Sequence, residues 1–124
     1  KSEYLTSKLE NGTYSMYHQQ YQMALKLFTD IIKEDPKWAE GWNKRATLLF
    51  IMGNYEKSLD DIEKVLDLEP RHFGALSGRA QIYLSYKQYE KAIDDLRKAK
   101  SIYPLIKSGE NIRLIEKIIK EQQI

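Results

Sequence analysis

Apolar residues recur at steps of three and four along most of the chain, which is the period of an α-helix and not of a β-strand. The segment that starts at Tyr55 shows this pattern, with apolar side chains at Ile62 and Val65. Gly53 precedes the segment, and glycine readily takes the backbone conformation that ends a helix. Pro70 closes it, because proline disfavours helical geometry in the residue before it. The pattern predicts pairs of amphipathic helices joined by short turns.

The helical pattern is repeated. YEKSLDDIEKVLDLEP at 55–70 returns as YEKAIDDLRKAKSIYP at 89–104, and YQMALKLFTDIIKEDP stands upstream at 21–36. Each copy begins 34 residues after the previous one, which predicts a helix–turn–helix unit that buries its apolar face on the next copy. Small residues fall where two helices must approach closely: Gly12, Ala46 and Ala80 in the first helices, and Ala24, Ser58 and Ala92 in the second.

These spacings resemble the tetratricopeptide repeat (TPR), a helix pair of 34 residues that ends near a proline. The second copy carries the pattern as Trp42-x2-Arg45-Ala46-x2-Leu49, Ser58-x3-Ile62 and Pro70. The resemblance implies an all-α, right-handed superhelical solenoid of three TPR repeats with a C-terminal capping helix, in one domain over 1–124. Its expected boundaries are 5–38, 39–72 and 73–106 for the repeats and 107–124 for the capping helix. The sequence is also similar to small bacterial TPR proteins of alphaproteobacterial, rickettsia-like type.

Composition narrows the class of protein. The 124 residues fit one domain, and a net charge of +2 selects neither nucleic acid nor an anionic membrane. The absence of cysteine excludes disulfides, thiolate catalysis and cysteine-ligated metals. No apolar run approaches the roughly 18 residues of a membrane span. The compartment is not assigned by the sequence; we favour the cytoplasm, or the periplasm or an organelle if Lys1 follows a removed segment.

Candidate catalytic residues are few. His18 and His72 have no second histidine or carboxylate at helical spacing, so we interpret them as solvated or capping side chains and not as metal ligands. We interpret the aspartate doublets at 60–61 and 94–95 as a solvated helix face, because each acid has a lysine four residues away. No phosphate loop or nucleophile motif occurs. We therefore expect no enzyme, cofactor, metal, small-molecule substrate or nucleic-acid partner.

In the family's superhelix, the first helix of each repeat lines a concave groove, which implies a protein or peptide partner. The matching face is mostly uncharged, and its apolar rim either contacts the partner or packs between neighbouring helices. Asn43 is the preferred contact, because an amide both donates and accepts and can hold an extended backbone. The implied groove residues are Thr6, Leu9, Thr13, Met16, Tyr17, Glu40, Asn43, Lys44, Thr47, Phe50, Ile51, Gly74, Ser77, Gly78, Gln81, Leu84 and Ser85.

One branch of the family binds the C-terminal carboxylate of cytosolic chaperones with a clamp of three cations and two asparagines. The matching positions of this chain are Leu9, Thr13, Lys44, Gly74 and Gly78, and only Lys44 is cationic. The resemblance therefore implies a peptide or helical partner that is held by apolar and backbone contacts, without a carboxylate clamp.

The segment 107–124 departs from the repeat. Ser108 is placed to cap a helix whose apolar and basic residues are interspersed; the isoleucines are Ile112, Ile115, Ile118 and Ile119, and the basic residues are Lys107, Arg113, Lys117 and Lys120. The preferred interpretation is a helix that caps the last repeat; the alternatives are a helix on a membrane surface or one that pairs with another chain. If this helix or the outer faces of the repeats pair with another copy of the chain, the protein is a self-association module, such as a homodimer, and not a peptide-binding module.

Overall fold

The fold is described from a computed structural model, which describes residues 2–104 and 108–123, without the side chains at 108–110. These residues form seven α-helices and no strand, so the predicted all-α helical repeat fold is confirmed. The helices are α1 (Glu3–Tyr17), α2 (Tyr21–Glu34), α3 (Ala39–Ile51), α4 (Tyr55–Leu68), α5 (Phe73–Ser85), α6 (Tyr89–Ile102) and α7 (Ser108–Gln122).

Successive helices pair into three hairpins: the first is α1–α2, the second α3–α4 and the third α5–α6. The chain divides into two compact units. The first unit, Lys1–Pro70, contains the first and second hairpins, and in it α3 also packs against α2 and α1. The second unit, Arg71–Ile124, contains the third hairpin and α7, which packs against α6.

The turn inside each hairpin has the same geometry. Its central residue has a positive φ of 58° at Gln19, 80° at Gly53 and 58° at Lys87. The next residue donates its backbone N–H to a carbonyl five positions back, at 2.8 Å in all three turns. This bond closes the end of the first helix in the manner of a Schellman motif. The turn is thus repeated even where glycine, the residue best suited to it, is replaced by glutamine or lysine.

In the first hairpin, the smallest residue, Gly12, packs against the largest fully buried side chain, Phe28. Gly12 of α1 faces the ring of Phe28, and a Cβ added to Gly12 would lie 2.5 Å from Cε1 of that ring. Phe28 is fully buried in a cluster that also contains Ala24, Ile31 and Leu48. The close approach predicted at Gly12 and Ala24 is therefore confirmed.

The second hairpin brings its helices together through a polar contact. The hydroxyl of Ser58 on α4 donates to the carbonyl of Ala46 on α3 at 2.7 Å, and both residues are buried. The preceding helix also fits closely, since a Cβ on Gly41 would lie 2.9 Å from Cγ2 of Ile31. Small residues thus set the spacing of α2, α3 and α4; the repeat pattern predicted those between α3 and α4, Ala46 and Ser58, but not Gly41.

The second unit has its own core. Ala80, Ala92 and Leu96 of the third hairpin pack with Ile112 and Ile115 of α7. Both isoleucines are buried, so the predicted capping of the last hairpin by a C-terminal helix is confirmed. The predicted cap of α7, the side chain of Ser108, lies outside the described residues, as does Lys107.

Candidate functional site

One acid of the second hairpin's doublet, Asp61, is buried, whereas its neighbour Asp60 is exposed. Asp61 is 4% exposed and accepts two hydrogen bonds from the guanidinium of Arg45, with Nε 2.8 Å from Oδ2 and Nη2 2.9 Å from Oδ1. Arg45 also donates from Nη1 to the hydroxyl of Thr29 at 3.4 Å. The predicted i,i+4 pairs of Lys57 with Asp61 and of Asp60 with Lys64 do not form. The interpretation of Asp61 as a solvated residue was therefore wrong.

The third hairpin repeats this arrangement 34 residues later. Asp95 is 2% exposed and accepts from Nε and Nη2 of Arg79, both at 2.8 Å. The predicted pairs of Lys91 with Asp95 and of Asp94 with Lys98 are absent from the described ion pairs. Bidentate guanidinium–carboxylate pairs are among the strong hydrogen-bonded contacts of proteins, and they fix the relative orientation of the two groups. Each of these carboxylates therefore links two helices of its hairpin.

The two histidines occupy helix ends, as predicted. His18 follows α1, and its Nδ1 lies 2.8 Å from the carbonyl of Tyr14, on whose ring it stacks at 3.9 Å. His72 precedes α5 and accepts from the backbone N–H of Ala75 at 3.0 Å. Within 2–104 and 108–123, no group of three histidine, cysteine, aspartate or glutamate side chains is arranged to hold a metal ion.

The candidate binding face of the first unit consists of one side of α1 and the matching side of α3. Asn43, Lys44 and Phe50 of α3 are half-buried, and Thr47 and Ile51 are exposed. On α1, Thr6, Leu9 and Thr13 are half-buried and Tyr17 is 67% exposed. Met16 differs from the prediction, because it is 2% exposed and belongs to the core beside Phe28. Met16 is therefore not an accessible groove residue.

Hydrogen bonding separates Asn43 from Thr13, Thr47 and Glu40 of the same face. Thr13 and Thr47 donate their hydroxyls to the carbonyls of Leu9 and Asn43 in their own helices, at 2.8 and 3.0 Å. Glu40 also has a partner within the protein. The side-chain amide of Asn43 makes no hydrogen bond to any described residue, so its donor and acceptor groups both remain available.

An aromatic pair closes one end of this face. The rings of Phe50 and Tyr55 lie 5.1 Å apart at an interplanar angle of 33°. Ile51 beside them is 44% exposed. The carboxyl end of α3 thus presents apolar surface on the side of the helix that carries Asn43, about two turns further along.

Lys8 is directed away from this face. Its Nζ lies 3.5 Å from Oε1 of Glu34 on α2 and 4.7 Å from the centre of the Tyr4 ring. The hydrogen bond to Tyr4, and then the charge of Glu34, raise the pKa of Lys8, so it stays protonated. Its charge is paired with α2 and is not placed at Leu9 or Thr13, where a carboxylate clamp would have its first polar groups.

The predicted residues of α5 belong to the second unit. Ser77 and Gly78 are half-buried, and Gly74, Gln81 and Ser85 are exposed. Ser85 donates its hydroxyl to the carbonyl of Gln81 at 3.2 Å, and Leu84 packs against the core of this unit. Gln81 is left as the exposed amide of α5.

Two family models for the tetratricopeptide repeat match the chain, at residues 39–72 and 74–104. The matches coincide with the second and third hairpins and together span more than half of the sequence. The chain therefore belongs to the tetratricopeptide repeat family.

Known proteins agree with this assignment. A TPR repeat-containing protein of Rhizobium etli, an alphaproteobacterium, is 60% identical over 53 residues, which is 43% of this chain and 26% of that protein. The Hsp70-Hsp90 organizing protein 1 of Glycine max is 33% identical over 75 residues, covering 56% of this chain and 13% of that protein. The chain thus matches only a minor part of either relative's length.

A solved structure has the same fold over nearly the whole chain. The first TPR of Spaghetti (RPAP3), bound to the HSP90 peptide SRMEEVD, superposes with a TM-score of 0.89, covering 97% of this chain and 96% of that one. Sequence identity is 18%, so the likeness establishes the fold alone. No described helix is long and apolar enough to cross a membrane.

Proposed function

We propose that the protein is a non-catalytic interaction module that holds a peptide or helical segment of a partner against the α1–α3 face. Repeats of this family serve as protein-interaction scaffolds. The observation that carries the proposal is Asn43, a half-buried amide without a hydrogen-bond partner among the described residues. An amide in this state can donate to and accept from a peptide backbone, which every peptide offers.

The surroundings of Asn43 favour a partner with apolar side chains. Phe50, Ile51 and Tyr17 supply exposed or half-buried apolar surface at the carboxyl ends of the two helices. A few apolar and aromatic anchors of this kind provide most of the binding energy in protein interfaces. Within the second unit, we propose the same role for Ser77, Gln81 and Leu84 of α5.

The solved TPR of RPAP3 is bound to an HSP90 peptide, and we propose that this chain does not share that specificity. Leu9, Thr13, Gly74 and Gly78 offer no charge at four of the five clamp positions, and Lys44 stands where the clamp has a neutral amide. Each charge-assisted hydrogen bond to a carboxylate is worth roughly 1.5–3 kcal/mol. Without two or three of them, affinity for a terminal carboxylate falls by several powers of ten, at about 1.4 kcal/mol per power.

Capture of the partner from a lysate of the source cell tests the proposal. Asn43→Ala and Phe50→Glu should each abolish capture while the helical circular dichroism stays unchanged. The matched controls are Asn11→Ala, an exposed asparagine on another side of α1, and Met23→Glu, an exposed apolar residue of α2. Both controls should retain the partner.

The alternative, self-association through the outer faces or α7, gives a different result. Capture would then survive Asn43→Ala and Phe50→Glu and be lost on substitution of Leu114, which is exposed on α7. A homodimer that Leu114→Glu converts to a monomer in sedimentation would replace the proposed function with an assembly role.

A further inference from the structure

A second surface of the first unit lies on the other side of α3. A trough of about 600 Å³ runs between α2 and α4, with α3 as its floor. Each floor residue is two positions from a residue of the binding face, as Arg45 is from Asn43 and Leu49 is from Thr47. Two positions correspond to about 200° around an α-helix. The trough is therefore separate from the site of the proposed function.

The lining of the trough is mainly apolar. Leu25 of α2, Trp42 and Leu49 of α3, and Met52, which directly follows α3, form its apolar surface. The indole N–H of Trp42 donates to the carbonyl of Pro36 at 2.8 Å, and the guanidinium of Arg45 lies over the indole ring at 5.3 Å. Because Asp61 neutralises Arg45, the floor carries no net charge.

Two free cations stand on the rim. Lys57 and Lys64 of α4 line the trough, are exposed, and form no ion pair with a described residue. In the third hairpin, the counterpart of Lys57 is Lys91, and its Nζ lies 5.7 Å from the centre of the Tyr83 ring. The second hairpin has Leu49 at the position of Tyr83, so Lys57 has no aromatic ring to contact there. Its charge remains available to a partner.

The spacing of the two lysines defines the complement. They are seven residues apart on α4, about 10.5 Å along the axis at 1.5 Å per residue. Carboxylates at i and i+7 of a second helix have the same spacing. Asp60 lies between the two lysines on α4 and is also exposed. Because it would repel an acid opposite it, a neutral residue is favoured between the two carboxylates of the partner helix.

We propose that this trough binds an acidic amphipathic helix of a partner protein, with apolar side chains on Trp42, Leu49 and Met52 and carboxylates on Lys57 and Lys64. An amphipathic helix in an apolar groove is a common mode of peptide recognition, and the two flanking charges set its register along α4.

The test uses a blocked synthetic helix of alanine and leucine that carries glutamates seven residues apart, and the same helix with lysine for glutamate. In nuclear magnetic resonance titrations at low salt, the glutamate peptide should shift the indole N–H resonance of Trp42. Its affinity should be at least about tenfold higher than that of the lysine peptide, a difference that salt reduces. The double substitution Lys57→Glu with Lys64→Glu should remove this preference.

The matched control is Lys26→Glu with Lys33→Glu, which changes the net charge equally at exposed positions of α2 outside the trough. This variant should retain the preference for the glutamate peptide. The proposal is overturned if neither peptide moves the Trp42 resonance, if both bind equally, or if the two double variants lose affinity alike. Concentration-dependent dimerisation that only the Lys57/Lys64 variant removes would assign the trough to a second copy instead. The side-chain resonances of Asn43 and Phe50 should stay unshifted. Binding in the trough is thereby distinguished from binding at the α1–α3 face.

Discussion

The first and second hairpins follow the same 34-residue register but are held together by different interactions. In the first, Gly12 packs against the ring of Phe28. The corresponding residues of the second are Ala46, which is larger than glycine, and Ile62, which is smaller than phenylalanine. In the second, Arg45 and Asp61 form a buried ion pair; the corresponding residues of the first are uncharged, Asn11 and Leu27.

The repeat therefore fixes the positions of the contact residues and their total side-chain volume more strongly than it fixes their identity. Gly12 with Phe28 and Ala46 with Ile62 both fill the space between two helices, as volume-compensating exchanges in cores commonly do. The ion pair is a separate addition to the second and third hairpins. It fixes the relative position of two helices through hydrogen-bond geometry and not through shape alone.

The largest expected effect is that of breaking the ion pair. Asp61→Ala leaves the guanidinium of Arg45 without its partner, and such a loss costs about 3 kcal/mol of unfolding free energy. Asp60→Ala, at the exposed member of the same doublet, should cost less than about 0.5 kcal/mol. Urea titrations that give equal losses would show that the pair does not stabilise the hairpin.

The double variant Arg45→Asn with Asp61→Leu places the residues of the first hairpin in the second. Because both charges are removed together, no buried charge is left unpaired, and most of the stability lost in Asp61→Ala should return. A double variant as unstable as Asp61→Ala would mean that the two hairpins are not interchangeable at this position.

The next effect concerns the packing of the first hairpin. Gly12→Ala places a Cβ in space that the Phe28 ring already occupies. Overpacking of this kind lowers the free energy of unfolding by about 1–3 kcal/mol. Adding Phe28→Ile recreates the Ala46–Ile62 combination and should restore part of the loss. Asn11→Ala, one residue away and exposed, serves as the control. An unchanged denaturation midpoint for Gly12→Ala would contradict the close approach of α1 and α2.

The smallest effect is expected at the turns. Gly53→Gln puts a side chain at a φ of 80° and should cost about 1 kcal/mol, whereas Gln19→Gly relieves the same conformation and should gain about 0.5 kcal/mol. A melting temperature that falls in Gly53→Gln and rises in Gln19→Gly would support a shared turn geometry. A loss in both variants would contradict it.

The sequence predicted the helices well, because the period of 34, the helix-ending prolines and the small contact residues all follow from local patterns. It did not predict the buried ion pairs. Asp61 lies three residues after Ser58 and four before Val65, on the apolar stripe of α4, and this spacing was the available signal. The lysines four residues from each aspartate suggested a solvated face instead. An ion pair between two helices, such as that of Arg45 with Asp61, is not visible in the spacing of residues along one helix.

The candidate face shows the same limit. Asn43 was identified from its position in the repeat. Met16 is buried although the residues at the same repeat position, Phe50 and Leu84, are only half-buried, so repeat position alone did not predict its burial. The trough on the other side of α3 was also missed. Its walls come from three helices, and no motif in any one of them marks it.

We propose that the α1–α3 face binds a partner through the Asn43 amide and apolar contacts, and not through a carboxylate clamp. Calorimetric titration of the chain with the peptide SRMEEVD, and with its C-terminally amidated form, distinguishes the two modes of binding. We expect no saturation by either peptide up to millimolar concentration, where the binding free energy is only about 4 kcal/mol. Low-micromolar binding of SRMEEVD that is lost on amidation would contradict it.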